Sequence, residues 1–343
     1  SAVIDPAPTP PARGAVSNPP NRFEPWSLER DPDCFDPDEP PPATLFFKDH
    51  SSSILSTNDS PDVGFSVSVN PYRGCEHGCI YCYARPTHEY LGFSAGLDFE
   101  TRILIKERAP TLLRQALDSP RWQPQIIGLS GVTDCYQPIE RRLQLTRQCL
   151  AVLAEFGNPV SIVTKNELVT RDLDLLRDLA QHQAVAVSIS LPTLIGDLRR
   201  VLEPRTSPPP ARLSAVRKLA DAGVPVGVLV APVIPGLTDH EIPSILKAAA
   251  SAGARFAAFQ VLRLPGAVGP LFEQWLERHA AAKKEKVLGR IRALRGGKLN
   301  DPRFGQRMRG EGIFADQIQQ LFSAARRQSR SEERRVGKEC RSR

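Results

Sequence analysis

Long apolar stretches are missing from this chain of 343 residues. No run of about eighteen consecutive apolar residues occurs, so we expect no membrane-spanning helix. The first residues also lack the basic and then apolar pattern of a secretory signal, and we therefore expect a cytoplasmic protein. Hydrophobic residues make up 41% of the chain, which is ordinary for a soluble globular protein. This length allows one large domain or two of ordinary size.

A fourth cysteine is missing beside the one group of clustered cysteines. Cys75, Cys79 and Cys82 are spaced C-x3-C-x2-C, and seven cysteines with three of them clustered fit a reducing compartment better than a disulfide framework. The spacing would also suit small buried residues on one face of a helix. Gly74 and Gly78 argue against that helix, because they let the backbone curl around a bound group. The sequence therefore predicts a loop that presents three thiolates to a metal or cluster.

Two kinds of metal centre fit three thiolates. A structural zinc ion uses four protein ligands, and His77 would complete a Cys3His set although it lies between two of the thiols. A [4Fe–4S] cube held by three thiolates instead keeps one iron open for a substrate or cofactor. Buried, inert cysteines are the third alternative.

The segment from Asn70 to Arg85 resembles the cluster loop of the radical S-adenosylmethionine (radical SAM) superfamily. It has the cysteine spacing of that loop and an aromatic residue, Tyr81, just before the last cysteine. The flanking sequences NPYRG and YAR resemble, more narrowly, spore photoproduct lyase and its uncharacterised bacterial relatives. The resemblance covers roughly residues 12–329. It implies a [4Fe–4S] cluster on the three cysteines and S-adenosylmethionine as the second cofactor.

The resemblance also implies the chemistry and the partners. It implies reductive cleavage of S-adenosylmethionine to a 5′-deoxyadenosyl radical that abstracts hydrogen from a substrate, with an electron donor such as flavodoxin or ferredoxin. It leaves the substrate open between nucleic acid, as for photoproduct lyases, and a peptide or small molecule. A non-catalytic binding module stabilised by a metal or cluster is the alternative outside enzymes. We expect a monomer with no membrane partner.

Strand-like and helix-like segments alternate along the chain after residue 65. Strands are predicted at 65–70, 101–106, 125–130, 160–164, 184–191, 224–233 and 256–264, and helices at 109–117, 139–156, 173–180, 211–222 and 239–252. Repeated β–α units, with strands that we expect to be buried on both faces, predict a parallel sheet with right-handed crossovers. Together with the resemblance they predict an α/β fold, a partial (β/α)6 TIM-type barrel whose strand ends carry the active site. An open doubly wound sheet is the alternative.

Composition divides the chain into four segments. Residues 1–45 contain twelve of the 32 prolines and are predicted to be an extended or disordered arm. Residues 46–265 form the predicted core barrel, and 266–329 a helical C-terminal extension whose basic run at 283–295 faces solvent or phosphates. Residues 330–343 resemble a translated sequencing adapter and are interpreted as an artefact tail. Without them the formal charge falls from +7 to +4, weak evidence for nucleic acid by itself.

The resemblance assigns cofactor contacts to the ends of the second and third strands of the barrel. Ser130, Thr133 and Asp134 offer acceptors for the methionine amino group of S-adenosylmethionine, although the usual Gly-Gly-Glu sequence is absent. Lys165 at the end of the third strand suits the methionine carboxylate as a point charge. In photoproduct lyases a cysteine hydrogen donor lies near this second strand end, and no cysteine stands at the position that aligns with it.

Weaker cofactor assignments fall on the fourth and fifth strands. Ser188 and Ser190 offer hydroxyls for the ribose or carboxylate, and the backbone around Val230 suits the adenine. Thr238 is predicted to be the N-cap of the helix that follows. Arg263 on the sixth strand is expected to face the cavity. The sequence names no catalytic residue and no substrate.

Overall fold

The computed structural model describes residues 13–24 and 42–339, with side chains as far as residue 329. Its strands are β1 (Leu45–Lys48), β2 (Leu55–Thr57), β3 (Val67–Val69), β4 (Tyr72–Arg73), β5 (Arg102–Ile105), β6 (Ile127–Leu129), β7 (Val160–Thr164), β8 (Val185–Ser190), β9 (Val226–Val233) and β10 (Phe256–Val261). Its α-helices are α1 (Leu97–Thr101), α2 (Ala109–Leu117), α3 (Glu140–Leu143), α4 (Leu145–Glu155), α5 (Leu173–Gln181), α6 (Gly196–Leu202), α7 (Pro209–Asp221), α8 (Ile242–Ser251), α9 (Val268–His279), α10 (Lys284–Leu294), α11 (Gln306–Arg309) and α12 (Ile313–Glu339).

A seven-stranded sheet with the order β10-β9-β8-β7-β6-β3-β2 forms the centre of the fold. Neighbours from β3 to β10 pair in parallel, and β2 pairs antiparallel with β3. Parallel neighbours require crossover connections, which the intervening helices supply. The mixed α/β class is therefore confirmed, and the carboxyl ends of six parallel strands meet at one edge of the sheet.

The prediction that the strands are buried on both faces holds for β3, β6 and most of β9, and is wrong for β7, β8 and β10. In β7, Val160 and Ile162 are buried among residues of α2, α4, α5 and α7, whereas Ser161 and Val163 on the other face are partly accessible. The same alternation occurs along most of β8. Helices therefore cover one face of these strands, and small side chains such as Ser161 and Ser188 line the other.

Besides small shifts at the ends of most elements, three predicted features differ from the structure. The helix predicted at 139–156 is divided into α3 and α4, because Gln144 between them adopts a φ of 54°. The loop predicted before Pro210 contains α6. Thr238 stands at the N-cap position of the short turn Asp239–Glu241, but its side chain makes no capping bond; its hydroxyl accepts from the amide of Ile234 at 2.9 Å.

A smaller sheet with the order β1-β5-β4 holds the start of the cysteine loop. β5 pairs in parallel with β1 and antiparallel with β4, and β4 ends two residues before Cys75. The sequence indicated β5, but β4 has two residues, too few to show an alternating pattern. This sheet fixes the direction in which the chain enters the loop.

The C-terminal helices pack on the other side of the loop. Ile80 lies in one apolar cluster with residues of α9 and α10, including Phe272, Trp275 and Ile291. In the part of the chain that the structure describes, no helix has both the length and the apolarity to cross a membrane. The division into segments at 45, 265 and 329 stays a prediction, and residues 1–12, 25–41 and 340–343 lie outside the described residues.

Candidate cluster site

The three predicted ligands come together at the carboxyl edge of the sheet. Cys75 and Cys79 are buried and Cys82 is partly exposed. Burial raises the pKa of the Cys75 thiol, and the charges of Asp134 and Cys82 raise it further, while the backbone N–H groups of His77 and Asp134 donate to its sulfur. Burial also raises the pKa of Cys79, on which both other thiols act. The three sulfurs are therefore within electrostatic reach of one another.

This arrangement fits a cluster better than a single metal ion. Among the described residues, no three His, Cys, Asp or Glu side chains converge closely enough to hold one ion. Zinc requires its ligands at about 2.0–2.3 Å from a common centre, whereas each thiolate of a cube binds a different iron. The donor set therefore fits a [4Fe–4S] cluster.

His77 is engaged elsewhere and does not complete a zinc site. Its Nδ1 lies 3.3 Å from Oδ2 of Asp134, and its Nε2 lies 3.4 Å from the side-chain amide of Asn166. The side chain is 1% exposed. His77 thus links the cysteine loop to the ends of β6 and β7, and the geometry does not support the Cys3His alternative.

Polar side chains bracket the backbone of the loop. Gln137 accepts a hydrogen bond from the amide of Glu76 at 2.9 Å and donates to the carbonyl of Gly74 at 3.1 Å. The Glu76 carboxylate accepts from the amide of Ile139 at 2.8 Å and pairs with Arg205 at 3.1 Å. These bonds fix the loop conformation before any cluster is bound.

A buried ion pair lies beneath the loop. Arg85 and Glu100 are 2.5 Å apart, and both side chains are fully buried. Arg85 also donates to the carbonyl of Cys79 at 3.0 Å. Since a buried charge is tolerated only when it is paired and hydrogen-bonded, the pair ties the loop to α1.

A second buried ion pair lies on the other side of the loop. Arg212 and Glu203 are 2.5 Å apart with both side chains fully buried, and the Tyr81 hydroxyl donates to the same carboxylate. Neither Glu203 nor Glu100 was predicted from the sequence. Each is a single carboxylate far along the chain from the loop, without a motif.

Part of the N-terminal segment packs against the loop. The amides of Gly14 and Ala15 donate to the two carboxylate oxygens of Glu100 at 2.9 and 2.8 Å, and Arg13 donates to its carbonyl at 3.0 Å. A Cβ atom on Gly14 would lie 1.8 Å from the carbonyl oxygen of Gly78. Only glycine permits this approach of the two backbones.

Asp134, predicted to contact the cofactor, is hydrogen-bonded within the protein. Its carboxylate accepts from the amide of Tyr136 at 2.9 Å, the hydroxyl of Thr164 at 2.8 Å and the amide of Lys165 at 2.8 Å. Burial would raise its pKa, but the adjacent His77 and the Lys165 amide and charge lower it to about 2. Asp134 is thus an ionised link between the ends of β6 and β7, and a cofactor contact stays a prediction.

The predicted hydroxyls at the end of β6 also have protein partners. Thr133 is buried and donates to the carbonyl of Tyr72 at 2.8 Å. The hydroxyl oxygen of Ser130 accepts from the amide of Cys135 at 2.8 Å, in a turn where Ser130 has a φ of 71°. The Thr133 hydroxyl can therefore only accept from a cofactor, whereas the Ser130 hydroxyl keeps its O–H and a lone pair.

The weaker cofactor assignments lie in different environments: they are Ser188, Ser190 and Val230. Ser188 is partly accessible on the face of β8 that the helices leave open. Ser190 is buried and donates to the carbonyl of Ala231 at 3.0 Å. The Val230 side chain is buried in the apolar cluster with α8, so only its backbone is available to an adenine.

Lys165 directly follows β7 and lies within electrostatic reach of Cys79 and Cys82. Burial lowers its pKa, but the charges of Cys79, Glu203, Asp134 and Cys82 outweigh it, so that its pKa is raised overall. No carboxylate in the described residues forms an ion pair with its ammonium group. The structure thus places a cation next to two cluster ligands, and its role toward S-adenosylmethionine stays a prediction.

Comparison with known proteins gives a family. The sequence model described as the Radical SAM superfamily matches residues 69–249, more than half of the chain. An uncharacterized protein of Mycobacterium tuberculosis is 39% identical over 229 residues, which cover 66% of this chain and 67% of that protein. An uncharacterized protein of Methanocaldococcus jannaschii is 29% identical over 178 residues, covering 52% and 64%.

A solved structure has a similar fold. Spore photoproduct lyase complexed with dinucleoside spore photoproduct gives a TM-score of 0.60 at 16% identity, over 82% of this chain and 79% of that one. At this identity the likeness is one of fold alone. The matched family uses a [4Fe–4S] cluster and S-adenosylmethionine. The chain, with its three gathered thiols at the carboxyl edge of a parallel sheet, belongs to the radical SAM superfamily.

Proposed function

We propose that Cys75, Cys79 and Cys82 hold a [4Fe–4S] cluster with one open iron, and that this chain is an enzyme that cleaves S-adenosylmethionine reductively. The observation that carries the proposal is the convergence of three thiols, since Cys82 packs both against the cluster that contains Cys75 and against the cluster that contains Cys79. When bound, the cluster and S-adenosylmethionine supply a 5′-deoxyadenosyl radical, which abstracts hydrogen from the substrate.

The residues of the chain bind and orient the reacting groups. Lys165 supplies the positive charge for the methionine carboxylate of S-adenosylmethionine. Asp134 and His77 fix the strand ends that face the cofactor. Glu203 accepts a hydrogen bond from Tyr81, which lies in the loop, and thereby keeps the cysteines in place. An external donor such as flavodoxin or ferredoxin supplies the electron, and the enzyme acts as a monomer in the cytoplasm.

The sheet is interpreted as the predicted partial (β/α)6 barrel. Helices that follow one another along the chain contact each other in the pairs α2–α4, α4–α5 and α7–α8. The accessible face of β7 and β8 carries small side chains and would line the concave side. A doubly wound sheet would have helices on both faces, which these strands do not support.

The substrate is proposed to be nucleic acid, on the basis of the fold shared with photoproduct lyase and the arginines near the site. Repair of a photoproduct with a cysteine hydrogen donor is not supported. Gly131 stands at the aligned position, and Cys135 is buried in the core packed against the helices. A peptide or small molecule remains the alternative substrate.

Anaerobic reconstitution with iron and sulfide tests the proposal. We expect a brown protein with four irons per chain that forms 5′-deoxyadenosine from S-adenosylmethionine under reduction. Cys79→Ala should abolish cluster assembly, because the loop supplies three cysteines for the cluster and this variant removes one of them. Cys149→Ala is the matched control: Cys149 is equally buried but lies in the core away from the loop. A colourless zinc protein, or a four-iron spectrum retained in Cys79→Ala, would refute the proposal.

A further inference from the structure

An arginine lies at the rim of the cluster site, beside the last cysteine of the loop. Arg263 follows β10 closely at the carboxyl edge of the sheet, and its guanidinium carbon lies 4.6 Å from the centre of the Tyr83 ring. Tyr83 follows Cys82 in the chain, and its hydroxyl donates to the carbonyl of Gly131 at 3.0 Å. The ring and the guanidinium group are thus fixed between the cysteine loop and the end of β6.

Arg263 is held in place without being neutralised. Its Nε is buried without a hydrogen-bond acceptor, and no carboxylate in the described residues forms an ion pair with its guanidinium group. Arg85 and Arg212, the other arginines against the loop core, each have a carboxylate at 2.5 Å. The charges of Asp62 and Cys82 act on Arg263, but neither group forms an ion pair with it, so its guanidinium group keeps the capacity to bind an incoming anion.

A second arginine–aromatic pair adjoins the first. Arg307 lies 4.4 Å from the centre of the Phe304 ring and is held by Asp62 at 2.5 Å. Helix α11, which contains Arg307, packs against β10, which Arg263 follows, so the two pairs are neighbours. Phe304 is 52% exposed and Tyr83 is 39% exposed. Interleaved cations and exposed rings are what proteins use to bind single-stranded nucleic acids.

We propose that the rim formed by Tyr83, Arg263, Phe304 and Arg307 binds a phosphodiester-linked nucleotide of a single-stranded nucleic-acid substrate, with Arg263 on the phosphate. The inference rests on the proposed function, since it gives that site its substrate class. The planar guanidinium fork matches two phosphate oxygens. The exposed rings offer flat faces on which bases can stack, and a free carboxylate on a peptide would not use these faces.

The test is the binding of a fluorescein-labelled, short single-stranded oligodeoxynucleotide to the reconstituted holoenzyme, followed by anisotropy over a range of salt concentrations. Arg263→Gln should weaken binding roughly tenfold to a hundredfold, because charge-assisted hydrogen bonds to phosphate are lost. The slope of log K against log salt should fall by about one. Arg263→Lys should keep the slope but lose affinity, since lysine lacks the planar fork.

Arg114→Gln is the matched control. Arg114 also lies over an aromatic ring, 5.7 Å from the centre of Phe156, but it pairs with Glu155 on the outer helices. Its replacement should leave oligonucleotide binding unchanged. Iron content and thermal unfolding, measured on the same preparations, should be equal in the wild type and all of these variants.

Two further probes identify the anion. An oligonucleotide with an uncharged methylphosphonate backbone should bind the wild type and Arg263→Gln equally, and an acidic peptide should not compete with the phosphodiester probe. Equal affinity of the wild type and Arg263→Gln for the phosphodiester probe would overturn the inference, as would competition by the acidic peptide. A wild type that assembles no cluster would instead refute the proposed function, a result visible in its spectrum and independent of the binding data.

Discussion

The cysteine loop and the rim at Arg263 differ in how their arginines are paired. Around the loop, Glu100 and Glu203 each hold a buried arginine at 2.5 Å. At the rim, Arg263 has a ring beneath it and forms no ion pair with a described carboxylate, although the charge of Asp62, which pairs with Arg307, acts on it. The comparison shows that ion pairs within the protein hold the loop, whereas the guanidinium group of Arg263 has no ion pair, and we propose that an anion binds there. Changes at the loop should therefore reduce stability, and changes at the rim should reduce binding.

The largest effect is expected from breaking an ion pair beneath the loop. Glu203→Ala leaves Arg212 buried and unpaired, and we expect the free energy of unfolding to fall by about 3–5 kcal/mol. Urea denaturation of the cluster-free protein measures this change. Glu155→Ala removes an acid from an exposed pair with Arg114 and should have no measurable effect. Equal losses of stability in the two variants would mean that the buried ion pair beneath the loop contributes no more stability than an exposed pair.

We expect His88, on the short helix that follows the loop, to change the free energy of unfolding by about 3 kcal/mol as the pH varies. His88 is buried between Phe93 and Phe99, and burial is the main cause that lowers its pKa to about 4. Between pH 6.5 and 4 the unfolded chain therefore binds a proton that the folded chain does not, and the free energy of unfolding falls as the pH falls.

His88→Leu should remove this part of the pH dependence. The measurement is urea denaturation of the cluster-free wild type and variant at pH 7 and about pH 4.5. An unchanged difference between the two pH values would show that His88 is protonated in the folded protein as easily as in the unfolded one.

Lys165 should affect affinity for the cofactor. Lys165→Met should weaken S-adenosylmethionine binding by about 1.5–3 kcal/mol, the usual contribution of a hydrogen bond to a charged group. Thr133→Val should leave that affinity unchanged, because the Thr133 hydroxyl donates to the carbonyl of Tyr72. Equilibrium dialysis with the reconstituted protein measures both. The opposite order of effects would assign the cofactor contact to Thr133.

The smallest effect is expected where the N-terminal segment meets the loop. Gly14→Ala places a Cβ atom against the carbonyl of Gly78, and we expect a loss of about 1–3 kcal/mol as the segment shifts. Amide hydrogen exchange in the loop should quicken. Gly64→Ala is the control, since nothing lies within 4 Å of its Cβ position. Unchanged exchange in Gly14→Ala would mean that the segment does not restrain the loop.

Local patterns predicted the parts of the fold whose contacts are close in sequence. Helix α2 and strand β7 begin and end at the predicted residues, because their periodicity is complete within the element. Helix α6 was missed because Leu202 is its one buried residue, too few for a stripe. The division of the helix at Gln144 depends on a backbone angle that glutamine does not signal.

The cysteine ligands were predictable because three thiols within eight residues form a motif by themselves. The groups that hold them were not. Glu203 meets Tyr81 across 122 residues of chain, and Glu100 meets Ala15 across 85. Lys165 was predicted at the end of the third strand as a contact of the methionine carboxylate, and the structure adds that the charges of Cys79 and Cys82 act on it.

The sequence by itself determined the α/β class, through the alternation of strand and helix patterns, and the family, through a motif within a short segment that also predicts the ligand set. Only the tertiary structure decided which carboxylates hold the loop, that residues 13–15 pack against it, and that Arg263 forms no ion pair with a described carboxylate. The physical reason is that burial and ion pairing depend on distance in space. A single acidic or basic residue looks the same in sequence whether its partner is present or missing.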